Sequence, residues 1–106
     1  MSLSESINEC LNYNQKLVLL SVVKLARNNK SKNSITFYNV LIKYNELCVL
    51  AEKEPLDQGY VFEILKILET SGFFKIKDRV VKKIMSLDEI EAGIYFSKEF
   101  EKFRIR

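Results

Sequence analysis

Apolar residues recur along this chain with two different periods, and the change from one to the other falls at Ser71-Gly72. Before that point, spacings of three and four predict helices, and after it a short alternation predicts strands. Residues Ser4 to Leu11 read as a short leader helix, with Ser4 as its cap and Ile7, Cys10 and Leu11 on one side. From Tyr13 to about Arg27 the chain is apolar nearly all round, through Leu17, Leu19, Leu20, Val22 and Val23, as in a centrally buried helix. The polar run from Asn28 to Ser34 breaks the period and reads as a loop, with Lys30 and Lys32 as solvated residues.

After Ile35, a stub of edge strand, Thr36 is placed to cap a helix. Its apolar face is Phe37, Val40, Leu41, Tyr44, Leu47, Cys48 and Ala51. Pro55 ends that helix by disfavouring helical geometry at the residue before it. Asp57 then caps a further helix with Val61, Ile64, Leu65 and Leu68 inward and Gly72 as a left-handed terminator. Gln58, Tyr60, Glu63, Lys66, Ile67 and Thr70 lie on its exposed side. Phe73 to Lys77 and Val80 to Met85 form a hairpin around Lys77-Asp78-Arg79. Its second strand has Val80 and Ile84 on one face and Val81 and Met85 on the other, a conflict that a bulge near Lys82-Lys83 resolves. A last helix starts at Ser86, with Ser86 and Glu89 in capping-box relation, and runs towards Phe96, Phe100 and Phe103, read as core or domain-contact residues with a partner-binding stripe as the other reading. Its apolar stripe shifts past Gly93, so the tail bends or packs elsewhere. The expected fold is mainly α with a small β-hairpin, a winged helix-turn-helix: residues 1–12 form the leader and 13–106 the domain.

Composition removes several alternatives. At 106 residues, with 47% apolar and 29% charged residues, the chain is long enough for one ordered core without metal or disulfide staples. No apolar run has the length of a signal peptide core or a membrane span. There is no histidine, which removes the commonest general base and the usual partner of serine and cysteine nucleophiles. Cys10 and Cys48 fall short of a structural zinc site and read as small buried apolar side chains. No glycine begins a phosphate-binding loop, so an enzyme is not expected.

Charge is where the pattern acquires a functional meaning. The whole chain is +3, yet Lys75, Lys77, Arg79, Lys82 and Lys83 against Asp78 give the hairpin segment +4. In a winged helix the helix before the hairpin faces the duplex and the hairpin touches phosphates, which nominates Gln58, Tyr60, Lys66 and Thr70 beside the wing cations. The helix itself carries Asp57, Glu63 and Glu69 against Lys66, and no arginine to read guanine. Binding is therefore expected to rest on the DNA backbone, with little sequence preference. Lysines on a sheet edge also have a plainer use, keeping that edge from pairing with another chain. Tyr60 and Ile67 have theirs, as residues covered by the buried helix or by a neighbouring domain.

The run from Leu11 through Gln15 to Leu20, then Thr36-Phe37-Tyr38-Asn39-Val40 with Tyr44-Asn45-Glu46-Leu47-Cys48, resembles the carboxy-terminal winged-helix domain of replication initiators. Pro55-Leu56-Asp57-Gln58, Ile64-Leu65, Leu68-Glu69 and the closing Leu87-Asp88-Glu89-Ile90-Glu91-Ala92 are similar to it as well. That family includes cell division control protein six, its archaeal relatives and the large subunit of the origin recognition complex. The resemblance implies a replication-licensing module following an ATPase of the AAA+ class, with ATP and magnesium bound by that upstream ATPase and none here. The leader would then be the end of the ATPase lid. It implies double-stranded origin DNA, other origin-recognition subunits and the minichromosome maintenance helicase as partners, a nuclear location (cytoplasmic in an archaeon), no membrane, and a monomeric fragment. Carried over by position, the DNA-contacting residues are Gln58, Lys75, Lys77, Arg79, Lys82 and Lys83. The chain departs from many relatives in its very short wing without glycine at the tip, which argues against deep minor-groove insertion. A protein-docking role, through the acidic helix face and Ile67, stands beside direct DNA binding.

Overall fold

A computed structural model describes residues 2–28 and 35–104. The elements are α1 (Leu3–Cys10), α2 (Tyr13–Asn28), β1 (Ile35–Thr36), α3 (Phe37–Leu50), α4 (Gln58–Thr70), β2 (Lys75–Lys77), β3 (Val80–Lys82), α5 (Leu87–Tyr95) and a 3-10 helix (Lys98–Phe103). The strands form an antiparallel sheet in the order β1-β3-β2. A helix, a short strand, two more helices and a hairpin whose second strand pairs with that first strand make the winged-helix topology expected from the sequence. The loop reading of residues 29–34 falls outside the described residues.

α2 is the centre of the core. Leu17, Val18, Leu19, Leu20, Val22, Val23 and Ala26 are fully buried, because α3, α4 and α5 each pack on a different side of it. Burial of every side explains its lack of a polar stripe. Its one buried cation is Lys16, whose Nζ donates to the Asn8 carbonyl at 3.1 Å and to Ser97 Oγ at 2.8 Å. An ammonium on a carbonyl in the last turn of α1 is favoured by the helix dipole, and it ties α1, α2 and the joint after α5 together.

Helix ends follow from local chemistry. Thr36 Oγ1 accepts from Asn39 N–H and Asp57 Oδ1 from Tyr60 N–H, as their positions predicted. α1 is capped by Ser2 in place of Ser4: Ser2 is extended, and its Oγ accepts from Glu5 N–H at 3.3 Å. α4 closes in a Schellman motif, with Gly72 at φ 94, Gly72 N–H donating to the Glu69 carbonyl and Phe73 N–H to that of Leu68. α3 closes in the same way through Glu52 at φ 54, with Lys53 N–H on the Cys48 carbonyl, so the helix stops before Pro55 exerts its effect.

Three other expectations are corrected, at Ser86, Phe96 and Cys10. Ser86 sits in the left-handed region at φ 48 and makes no side-chain cap, so the Ser86–Glu89 capping box does not form. The tail bends as the shifted apolar stripe implied: α5 stops at Tyr95, Ser97 is extended, and a 3-10 helix folds Phe100 and Phe103 back into the core. Phe96 turns outward at 71% exposure and is no core residue. Cys10 is exposed, because Ile7 is the α1 residue that enters the core; Cys48 is buried as expected, and burial pushes its thiol pKa up. Gly93 explains how α1 sits so close: a Cβ there would lie 2.7 Å from Ile7 Cβ and 2.9 Å from the Ser4 carbonyl oxygen. α1 and α5 therefore pack into one body with α2. Tyr44 is also fully buried, with its oxygen accepting from Leu56 N–H at 3.0 Å, and burial pushes its phenol up to about 12.

Candidate nucleic-acid interface

The wing is built by a two-residue turn. Lys77 pairs with Val80, and Asp78 and Arg79 between them have φ of 54 and 61, the double left-handed geometry of a type I′ turn. That register fixes the faces. Ile76 lies opposite Val81, and Val81 opposite Ile35, so this side of the sheet is turned to the core. Lys75 lies opposite Lys82, and Lys75 and Lys77 are two residues apart, so all three lysines share the outward face. All three are exposed.

The expected bulge is present. The ladder would place Phe73 opposite Ile84, yet Met85 N–H donates to the Phe73 carbonyl at 3.0 Å, and Lys83 between them has φ 53. One extra residue on the second side of the hairpin reverses its facing, which reconciles buried Val81 with exposed Met85. The regular strands are shorter than the sequence implied, ending at Lys75 and Lys82 where the bulge begins.

The tip is anchored to α3. Phe37 N–H donates to the Arg79 carbonyl at 2.9 Å, and Thr36 pairs with Val80. Arg79 and Asp78 consequently meet Gln58 at the start of α4 and Tyr38 at the start of α3, around a concavity of 320 Å³. At the other end of the hairpin, Lys75 and Lys83 flank a concavity of 470 Å³ together with Glu69, Gly72, Phe74 and Met85. The wing cations thus share one finger but divide between its outward face, its tip and its root.

Three nominated residues stand apart from that group: Tyr60, Lys66 and Thr70, whose Oγ1 donates to the Lys66 carbonyl at 3.0 Å. Tyr60 is 64% exposed beside Asp57, Gly59 and Glu63, so α2 does not cover it, and Ile67 is open as well at 46%. Lys66 lies with its Nζ 5.8 Å from the centre of the Phe62 ring, turned along its own helix. The acids of α4 are distributed differently from their count. Asp57 is taken up by its cap, and Glu69 Oε2 accepts from Ile76 N–H at 2.7 Å. β2 is an outer strand and Ile76 belongs to the pair between two bonded ones, so this N–H points off the sheet and the carboxylate closes it. Only Glu63 remains as an acid directed away from the α4 backbone and the sheet.

Tyr38 and Thr36 were absent from the residues nominated by sequence. Tyr38 lies off the apolar stripe of α3 and reads there as an ordinary surface position. The signal that places it is the Ile35-Thr36 stub: pairing of this stub with the hairpin brings the wing tip to the first turn of α3.

No described helix is long and apolar enough to cross a membrane. Comparison with curated proteins and with solved structures gave no match. The family model described as "CDC6, C terminal winged helix domain" matches residues 7–91, from within α1 to within α5. With the topology, the wing and that match in agreement, the chain belongs to the family of CDC6 C-terminal winged helix domains.

Proposed function

We propose that this module grips the backbone of duplex DNA with its wing, as the DNA-contacting part of a replication-licensing initiator. The observation that carries the proposal is the outward hairpin face, where Lys75, Lys77 and Lys82 stand together without an acid among them. Arg79 and Gln58 extend this surface to the start of α4, and Lys83 extends it towards the hairpin root. Lysine presents a point charge suited to phosphate, and α4 offers no arginine to the major groove, so contact with the backbone dominates over reading of bases. In the full initiator, the upstream AAA+ ATPase would supply ATP and magnesium chemistry. Other origin-recognition subunits would share the DNA, and the assembly would help load the minichromosome maintenance helicase in the nucleus.

The test is a titration of labelled duplex with the chain at increasing salt. If about four wing cations neutralise phosphates, log affinity falls against log salt with a slope of about −3.6, or about a hundredfold between about 50 and about 200 mM. A slope near zero contradicts the proposal. Lysines that only protected the sheet edge would give no such dependence.

A second reading has its own support. Tyr60 and Ile67 are exposed on α4 with Glu63 between them, a mixed apolar and acidic face suited to a protein. It supports the docking alternative, in which α4 meets another initiator subunit and the module does not bind DNA directly.

A further inference from the structure

We infer that the concavity between the wing tip and the first turn of α3 is a pocket for one unpaired nucleobase. The inference rests on the wing being a nucleic-acid grip and names what the tip of that grip accepts. At 320 Å³ the concavity lies at the low end of the range of about 300–1,000 Å³ typical of small-molecule sites, with room for a one- or two-ring heterocycle.

A base held outside a helix needs an apolar or aromatic surface for its faces, hydrogen-bonding groups for its polar edge and a cation for its phosphate. The concavity supplies each. Phe37, Leu41 and Val80 form the apolar wall, and Phe37 is held in place edge-on to Phe62, with ring centres 5.1 Å apart and planes at 78°. Tyr38 stands at the rim with 71% of its surface exposed, a ring available for stacking. Gln58 offers both an amide donor and an acceptor, and Asp78 offers an acceptor. Arg79 carries the charge.

Two features fit a base better than a phosphate alone. Asp78 is the one acid of the wing and lines this concavity; its carboxylate repels a phosphate, whereas it can accept from the exocyclic amino group of adenine, cytosine or guanine. The second feature is Arg79. The second position of a type I′ turn favours glycine, yet Arg79 occupies it at φ 61, held by the bond from Phe37 N–H to its carbonyl. A side chain kept where glycine would be less strained marks a position with a use beyond the turn.

The experiment compares two duplexes of the same sequence, one fully paired and one with a single extrahelical 2-aminopurine, a fluorescent adenine analogue. The chain is expected to bind the second about tenfold more tightly and to quench the fluorescence of the unpaired base, because stacking of one base on an aromatic ring supplies an effect of that size. Tyr38→Ala brings the affinity ratio to about one. Arg79→Gly also removes the preference while raising the melting temperature, so loss of folding is not its cause. Equal affinity of the parent chain for the two duplexes overturns the base pocket and leaves the wing grip standing. Failure to bind either duplex removes both.

Discussion

Replacing Lys75, Lys77 and Lys82 together with glutamate lowers affinity for duplex DNA by more than about a hundredfold at about 100 mM salt. These residues are the outward face of the hairpin: Lys75 and Lys82 lie opposite each other, and Lys77 follows on the same side. Each phosphate contact releases a condensed counterion, so the loss of three contacts out of about four changes the salt slope from about −3.6 to about −0.9 as well as reducing affinity. The fold survives the change. All three side chains are exposed, and the sheet is held from its other face by Ile35, Ile76 and Val81. Reversing Lys98, Lys102 and Arg104, on the 3-10 helix and at its C-cap, is the matching control for net charge, since all three are exposed and away from the wing. Fluorescence anisotropy with a labelled duplex reads both variants; similar losses in the two would mean that overall charge, and no particular surface, drives binding.

Phe100→Ala destabilises the domain by about 3–5 kcal/mol, the usual cost of emptying a buried phenylalanine site. Phe100 is fully buried, its ring stacks on Tyr13 at 5.0 Å between centres, and Phe103 packs beside it at 5.8 Å. Lys24 Nζ adds a bond to the Phe103 carbonyl at 2.7 Å, which fixes the 3-10 helix against α2. A small domain has about 5–15 kcal/mol in total, so the variant is close to unfolding. Its thermal midpoint, followed by circular dichroism, is expected to fall by about 20 °C. A fall of only a few degrees would show that the tail is peripheral. The outcome matters because Phe100 and Phe103 lie beyond the residues 7–91 that the family description covers: the core of this member is closed by a segment outside the shared pattern.

Much of this architecture was legible from periodicity. α2, α3 and α4 follow from their apolar spacing and from the Thr36 and Asp57 caps, because these features depend on residues within one turn of each other. The bulge was legible from a conflict in alternation that only one extra residue could remove. Less legible were features decided by distant partners. Ser86 has the residue type and the spacing of a cap, but the chain leaving the bulge brings it in left-handed, with no cap bond from its hydroxyl. Phe96 shares the composition of Phe100 and Phe103 yet lies just before the turn into the 3-10 helix, so it faces away from the core they enter.

The candidate site was legible as a charged segment, and less so as a surface. Counting residues gave α4 a net negative charge, whereas the structure shows Asp57 and Glu69 engaged with backbone N–H groups. Nothing in the sequence links Glu69 to Ile76, since the contact depends on how the hairpin folds back along α4. The same fold-back joins Arg79 to Tyr38 and Gln58, residues from three elements that no linear pattern relates.

The most direct test of a wing grip is residue-level mapping of backbone amide chemical shifts while a short duplex is added to the isotopically labelled chain. A wing grip gives the largest changes along Lys75 to Lys83 and at Gln58, with the signals of α1 and the 3-10 helix unmoved. Changes confined to Tyr60, Glu63 and Ile67, with the hairpin silent, would contradict it.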